Sequence, residues 1–337
     1  MKTILVTGGL GFIGSHTVVE LQNSGYNVII IDNLSNSSIE VLDNITSITG
    51  TQPDFHNIDL RIKTDVSNFF MNRQIDGIIH FAAFKAVGES VQKPLAYYEN
   101  NIGSLVYLLQ VANRHKLPNF IFSSSCTVYG QADLLPITEN APIKPAESPY
   151  GNTKQIGEEI IQESCMTNEL RAIALRYFNP IGAHESAKIG ELPLGVPQNL
   201  TPFITQAAAG IREELSVFGD DYPTEDGTAV RDYIHVVDLA KAHIAALERL
   251  LNNKNKANFE VFNVGTGKGS SVLEVIHAFE KVSGTKLNYK IVERREGDIT
   301  AAYADTSLAN KELGWMAEKT LEEALSSAWK WQQKTMK

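Results

Sequence analysis

Tyr150 and Lys154 are the residues of this chain whose types and spacing could do proton-transfer chemistry together. They lie in Ser148-Pro149-Tyr150-Gly151-Asn152-Thr153-Lys154. Ser148 is a good helix N-cap and Pro149 suits the first helical position. A helix that starts there sets residues four apart on one face, one turn from each other. The Lys154 ammonium can then stabilise the Tyr150 phenolate, helped by the positive end of the helix. Ionising a tyrosine near neutral pH means lowering its pKa by roughly 3 units, about 4 kcal/mol. One unit charge about 4 Å away in an intermediate dielectric supplies that much. The pattern therefore predicts a general base. Tyr-x-x-x-Lys is also a common spacing on surface helices, so the elements that position the pair have to select it.

Those elements begin at the N-terminus. Lys2 to Val6 is a short apolar run that reads as a buried parallel strand. It runs into Gly8-x-x-Gly11-x-x-Gly14, with Phe12 and Ile13 inside the turn, and then into an amphipathic helix ending at Gly25. Strand, glycine turn and helix let the backbone approach a pyrophosphate at the helix N-terminus. A second strand, Asn27 to Ile31, ends in Asp32. An acid there accepts hydrogen bonds from ribose hydroxyls and repels a 2′-phosphate, and no arginine follows in Asn33-Leu34-Ser35-Asn36-Ser37. NAD is therefore favoured over NADP. The glycine spacing resembles that of the extended short-chain dehydrogenase/reductase group.

Composition narrows the class. At 337 residues the chain exceeds a typical domain, so two lobes are expected. A net charge of −9 without a basic cluster argues against nucleic acid. No apolar run reaches transmembrane length, which argues against a membrane partner, and the first strand is too short and glycine-interrupted for a signal peptide. The two cysteines, Cys126 and Cys165, have neither metal-ligand nor disulfide spacing, which fits a cytoplasmic protein with no metal.

Strand and helix patterns alternate through the first half. Strands are expected near Asp54–Asn57, Gly77–Phe81, Phe120–Ser124 and Ala172–Tyr177, with helices near Thr64–Asn72, Asn100–His115 and Tyr150–Cys165. The fold class is α/β: a doubly wound parallel sheet of Rossmann type with a smaller C-terminal substrate lobe. The expected division is 1–178 with returning segments near 235–265, and 179–337 for the substrate lobe. Residues 179–235, rich in Gly, Pro and Asn, read as long binding loops. A strand, a helix and a strand follow at Phe259–Val264, Ser271–Ser283 and Leu287–Val292. Gly265-Thr266-Gly267-Lys268-Gly269-Ser270 is not a Walker A loop, because Gly269 follows the lysine; it reads as a turn capped by Ser270 or Ser271.

With Ser123-Ser124-Ser125 added to the glycine turn and the Tyr/Lys pair, the chain resembles the UDP-glucose 4-epimerase family. The more specific matches are Leu175-Arg176-Tyr177-Phe178-Asn179-Pro180-x-Gly182-Ala183-His184, Asp220–Thr228 with Arg231-Asp232-Tyr233-Ile234-His235-Val236, and Arg294-Arg295-Glu296-Gly297-Asp298. The resemblance spans essentially the whole chain.

It implies a reaction with no net redox change on UDP-galactose and UDP-glucose. Tyr150 takes the proton of the sugar 4-hydroxyl, hydride passes from carbon 4 to NAD, and the keto sugar turns over and receives hydride on its other face. Ser125 would hydrogen-bond the 4-oxygen, and Lys154 would hold the nicotinamide ribose. The cofactor set carried over is Gly8, Gly11 to Gly14, Asp32 to Ser37, Asp59, Leu60, Phe81, Ala82, Ala83, Phe84, Lys85, Asn100, Ser125, Tyr150, Lys154 and Phe178. The substrate set is Ser125, Tyr150, Asn179, Asn199, Leu200, Ser216, Val217, Phe218, Arg231, Arg295, Asp298 and Ala302. Guanidinium groups at 231 and 295 suit a pyrophosphate, and Asp298 would accept from the uridine ribose. A small residue at 302, where the family varies between small and aromatic, would also admit UDP-GlcNAc and UDP-GalNAc; a one-place slip would make Tyr303 the gate. A homodimer through the helices near Asn100–His115 and Tyr150–Cys165 is the family expectation.

Two other readings stay open at this stage. A nucleotide-sugar dehydratase or decarboxylase of the same fold should carry an acid pair beside Ser125, where this chain has Cys126-Thr127-Val128. A catalytically silent NAD-binding regulator would be expected to have lost Tyr150 or Lys154.

Overall fold

Apolar runs, aliphatic at Thr3–Thr7 (β1) and Asn27–Asp32 (β2) and Phe-Ile-Phe within Asn119–Ser123 (β5), form strands buried on both faces. With Asp54–Asn57 (β3), Gly77–His80 (β4), Arg171–Tyr177 (β6) and Phe259–Val264 they make one seven-stranded sheet. Its order is β3-β2-β1-β4-β5-β6 followed by Phe259–Val264, and every pairing is parallel. Connections reverse direction between β1 and β4, so the sheet opens a crevice beyond the carboxyl ends of those two strands. This computed structural model describes residues 1–71, 73–167, 169–295 and 298–336. Asn72, at the end of one expected helix, and Glu296 and Gly297, inside the arginine-rich motif, lie outside the described residues.

One apolar layer fills the side of the sheet facing Phe12–Asn23 (α1) and Val236–Leu251, with Val18, Val19, Leu239 and Leu247 at its centre. The opposite layer joins Leu105, Leu108 and Ile161 to Phe120 and Phe122. Helices therefore cover both faces, as parallel strands without alternating polarity require. The helix Val236–Leu251 escapes a cap-based reading because His235 caps it: its ring Nδ1 accepts from the Val237 N–H at 3.1 Å.

The second lobe has its own core, in which Ile204, Val217, Val275, Phe279 and Leu325 meet. The expected long loops over 179–235 are only partly loops. Leu200–Ala208 is helical, and Leu215–Phe218 pairs in parallel with Tyr289–Val292. Pro202 does not prevent that helix, because a first-turn N–H has no intrahelical acceptor to lose. Ser271 caps the helix Val272–Ser283 in a reciprocal capping box with Glu274. Among the described residues no helix is long and apolar enough to cross a membrane.

Candidate active site

The helix carrying the Tyr/Lys pair runs Pro149–Thr167, and the Ser148 hydroxyl accepts from the Gly151 N–H at 3.1 Å. Tyr150 and Lys154 are both buried, at 7% and 5% exposure. The Lys154 ammonium donates to the Ser123 carbonyl at 2.7 Å and lies 4.9 Å from the Phe122 ring centroid and 5.9 Å from that of Tyr150. The dielectric of the site is lower than the expected intermediate one, because both groups are buried. Burial pushes the Tyr150 phenol well above its ordinary value, neighbouring Tyr177 adds to this, and the Ser125 hydroxyl works against it. Burial likewise lowers the Lys154 ammonium to about 8, opposed by the Glu158 carboxylate.

The three serines at the end of β5 point to three partners. Ser123 donates to the Tyr177 hydroxyl at 3.1 Å, and Ser124 donates to Glu158 at 2.5 Å. The Ser125 hydroxyl accepts from the Thr127 N–H at 3.2 Å, capping the short 3₁₀ turn Cys126–Tyr129. Ser125 is therefore held beside the phenol by the backbone of the next turn. Cys126 fills space: burial pushes its thiol up to about 12.

The glycine turn closes the other side of the crevice. Gly8 has φ +69°, and a Cβ there would stand 2.8 Å from the Ala82 nitrogen; a Cβ on Gly14 would stand 2.2 Å from the Gly8 carbonyl oxygen. Only glycine lets β1 turn into α1 against the segment Phe81–Lys85 that leaves β4. Gly11 is the N-cap of α1 and offers no side chain to its first-turn N–H groups. Those donors, at the positive end of the helix, fit a pyrophosphate. Asp32 is buried; its carboxylate accepts from the Leu10 N–H at 3.1 Å, the Leu34 N–H at 2.9 Å and the Ser37 hydroxyl at 2.8 Å. It both ties the glycine turn to β2 and keeps acceptor capacity for a ribose. Asp59 takes Asn33 at 3.3 Å and a bidentate Arg61, which holds its carboxyl down at about 2. Leu60 packs in the core rather than toward solvent.

Beyond β4, Phe84 is fixed by Asn101, whose amide accepts from the Phe84 N–H at 2.8 Å and donates to Thr153 at 3.1 Å. Asn100 and Asn101 sit in a π-helical stretch, Glu99–Gly103, of the kind that recurs at functional sites. Lys85 reaches across the crevice to Glu191 at 3.0 Å, and Glu191 also accepts from Asn199 at 2.6 Å. The two expected ligand contacts are thus joined by a carboxylate that the sequence did not point to.

In the second lobe Asp298 bridges the two expected arginines. It takes Arg231 at 2.5 Å and Arg295 at 3.1 Å, and Arg295 lies over the Phe218 ring at 4.8 Å. The phosphate-binding reading is compatible with this, since one carboxylate orients two guanidinium groups and leaves a net positive charge. Asn179 is anchored by its N–H to the Asp232 carbonyl at 2.9 Å. Ser216 and Phe218 flank Val217, whose side chain belongs to the lobe's core, and Leu200 packs against that core. Ala302 pairs in register with Arg231 and is buried with Val128, Tyr129, Ile137 and Phe178. Ala304 is buried in the same cluster, whereas the Tyr303 ring turns to Gly269. Strand alternation therefore aims position 302, not 303, at the cluster beside Ser125.

Sequence reasoning passed over Glu158, Arg176, Tyr177, Glu191 and Asn101. Glu158 had a local signal, being one helical turn beyond Lys154, and Arg176 and Tyr177 stood in a family-matching segment without a role assigned to them. No group of three or more metal-ligating side chains occurs among the described residues.

Residues 5–328 match the family model described as GDP-mannose 4,6 dehydratase. The UDP-glucose 4-epimerase of Bacillus subtilis is 50% identical over 98% of this chain and 96% of its own. The crystal structure of the UDP-glucose 4-epimerase from Bifidobacterium longum, in complex with NAD+ and UDP, superposes with a TM-score of 0.95 at 48% identity over 99% of both chains. That of Stenotrophomonas maltophila, with bound NAD and formylated UDP-arabinopyranose, gives a TM-score of 0.96 at 46% identity over 100% of this chain and 99% of that one.

Proposed function

For a chain that belongs to the UDP-glucose 4-epimerases, within the wider family described as GDP-mannose 4,6 dehydratase, we infer NAD-dependent interconversion of UDP-galactose and UDP-glucose. The observation that carries this is the convergence of buried Tyr150, Ser125 and Lys154 at the sheet's carboxyl edge, beside the glycine turn. The Arg231–Asp298–Arg295 cluster lies beside the strand of Ala302, whose side chain packs with Val128, Tyr129 and Phe178.

NAD supplies hydride exchange with carbon 4 of the sugar, and the residues of this chain do the rest. The first-turn N–H groups of α1 hold its pyrophosphate and Asp32 its adenosine ribose, with Asp32 to Ser37, Asp59, Leu60, Phe81 to Lys85, Asn100 and Phe178 around it. Tyr150 accepts the proton of the 4-hydroxyl and gives it back when the alcohol re-forms. Ser125 donates to the 4-oxygen, and Lys154 fixes the ribose next to the base. Arg231 and Arg295 clamp the substrate pyrophosphate while Asp298 accepts from the uridine ribose; Asn179, Asn199, Leu200 and the strand Ser216-Val217-Phe218 complete its seat. The clamp holds the nucleotide, so the sugar alone can rotate. The cofactor lobe is 1–178 with returning segments near 235–265, and the substrate lobe is mainly 179–337.

A dehydratase needs an acid pair next to Ser125, where Cys126-Thr127-Val128 stand. Incubating the protein with UDP-galactose discriminates the readings. UDP-glucose is the expected product; a 4-keto-6-deoxy sugar indicates a dehydratase, and no turnover indicates a binding protein.

Ala302 extends the reading to UDP-GlcNAc and UDP-GalNAc, because its methyl leaves room for a 2-acetamido group. The free cysteines Cys126 and Cys165 support a cytoplasmic location. A homodimer would use the faces of Ser104–Arg114 and Pro149–Thr167, with exposed Leu95 and Met166 available to it. Analytical ultracentrifugation reads that state directly.

A further inference from the structure

One turn beyond Lys154 on the same helix, Glu158 is buried at 7% exposure, as is Arg176 at the end of β6. Their pairing is bidentate: Arg176 donates from Nε at 3.0 Å to Oε1 and from its terminal nitrogen at 2.5 Å to Oε2. Oε1 also accepts the Ser124 hydroxyl at 2.5 Å. Arg176 is in turn held over the Tyr129 ring at 4.9 Å and donates to the Tyr129 hydroxyl at 3.0 Å, which donates to Asn263 at 2.7 Å. Arg176 and Ser124 thus engage both oxygens of a buried carboxylate that stands one helical turn from Lys154, whose ammonium is held by the adjacent Ser123 carbonyl.

We propose that Glu158 is a positioning residue for proton transfer: one helical turn from Lys154, its carboxylate pins the Ser123–Ser125 strand end and supplies the negative charge on that face of the helix. The inference rests on the reading of Tyr150 as base and Lys154 as its charged neighbour. Ser124 is the mechanical link, because Lys154 and Glu158 grip adjacent residues, the Ser123 carbonyl and the Ser124 hydroxyl. The other titratable groups facing this site cannot take over the task. Tyr129 and Tyr177 are phenols that burial pushes up to about 12, His80 on β4 is held neutral by burial, and Glu139 is engaged by the Asn263 N–H. Removing the Glu158 charge would take away what opposes the desolvation of buried Lys154, and Lys154, unlike Arg176, can lose its proton.

The test is the pH dependence of kcat/KM for UDP-galactose in wild type, Glu158→Gln and Arg176→Met, with melting temperatures measured alongside. In Glu158→Gln the amide oxygen can still accept from Ser124 and from Arg176 Nε, while the amide nitrogen replaces Oε2 and gives up the terminal Arg176 contact together with the charge. The alkaline limb should move down by about one pH unit or more in Glu158→Gln, with KM near wild type. In Arg176→Met, which leaves the carboxylate to Lys154 alone, it should move up. A uniform loss of activity with the limb unmoved in either variant overturns the proposal, as would a limb that moves in the opposite sense. Should Glu158→Gln fail to fold, Arg176→Met decides alone. Lys154→Arg, which cannot lose its proton, and Tyr150→Phe separate this failure from the other one: full activity in Tyr150→Phe overturns the underlying reading, while loss there with an unmoved Glu158→Gln limb overturns only the role of Glu158.

Discussion

Ala302→Tyr should convert a broad sugar pocket into a narrow one. Position 302 pairs with Arg231, and its side chain is buried in the cluster of Val128, Tyr129, Ile137 and Phe178. Ala304 fills the same side two residues on, at 1% exposure, so a ring at 302 cannot slide along the strand. On the proposed reading, the space left to it is the sugar's place in front of Ser125. Overfilling a packed site costs about 1–3 kcal/mol, and a substituent that must displace the ring meets that cost in full. At about 1.4 kcal/mol per factor of ten, the substitution should lower kcat/KM for UDP-GalNAc relative to UDP-galactose by about 5- to 150-fold. The assay measures both substrate pairs with wild type and variant at one pH, with nucleotide binding as a control. Wild-type enzyme that ignores UDP-GalNAc would refute the reasoning. So would an unchanged ratio in Ala302→Tyr, or a Tyr303→Ala variant that alters the ratio more than Ala302→Tyr does.

Three other outcomes are expected. Tyr150→Phe should keep NAD and UDP-sugar binding, followed by calorimetry, while turnover drops by on the order of 100-fold or more, since only the proton acceptor is removed. Asp32→Ala should weaken NAD binding by about 1–3 kcal/mol and improve tolerance of NADP; because Asp32 also anchors the Leu10 and Leu34 N–H groups, the variant should melt earlier as well, and unchanged affinity would reduce Asp32 to a turn anchor. Burial holds His16 and His80 down at about 3 and His235 and His243 at about 4. Below about pH 6.5 the unfolded chain binds protons that the folded chain refuses, so stability rises with pH there and is lost as pH falls toward 4. Each such histidine contributes up to about 1.4 kcal/mol per pH unit in that window. Melting temperatures measured from neutral pH down toward 4 should fall accordingly, and a flat profile would mean that these rings are solvated.

Much of the site was legible because its signals are local. The capped start of the Tyr150 helix, the glycine turn and the acid ending β2 each need only a few consecutive residues to be recognised, and the structure brings them to one edge of one sheet. The helix Val236–Leu251 was not legible, since a histidine caps it, and Leu200–Ala208 was masked by a proline that its first turn tolerates.

By itself the sequence determined the parallel sheet and the residue types gathered at the candidate site. Burial of continuous apolar strands and the left-handed backbone of Gly8 depend on residue identity alone. Only the tertiary structure decided the electrostatics. Charge interactions depend on distance and dielectric, and both are set by chain segments far apart in sequence. The spacing of Tyr150 and Lys154 suggested a lowered phenol; packing turned Lys154 to the Ser123 carbonyl and buried both groups, which raised it. The same packing brought Arg176 from β6 to Glu158, Glu191 to Lys85 and Asn199, and Asp298 between Arg231 and Arg295. Ala302 could be told from Tyr303 for the same reason: strand pairing with Arg231 sets which of two neighbours faces inward, and a register is a property of two strands, never of one.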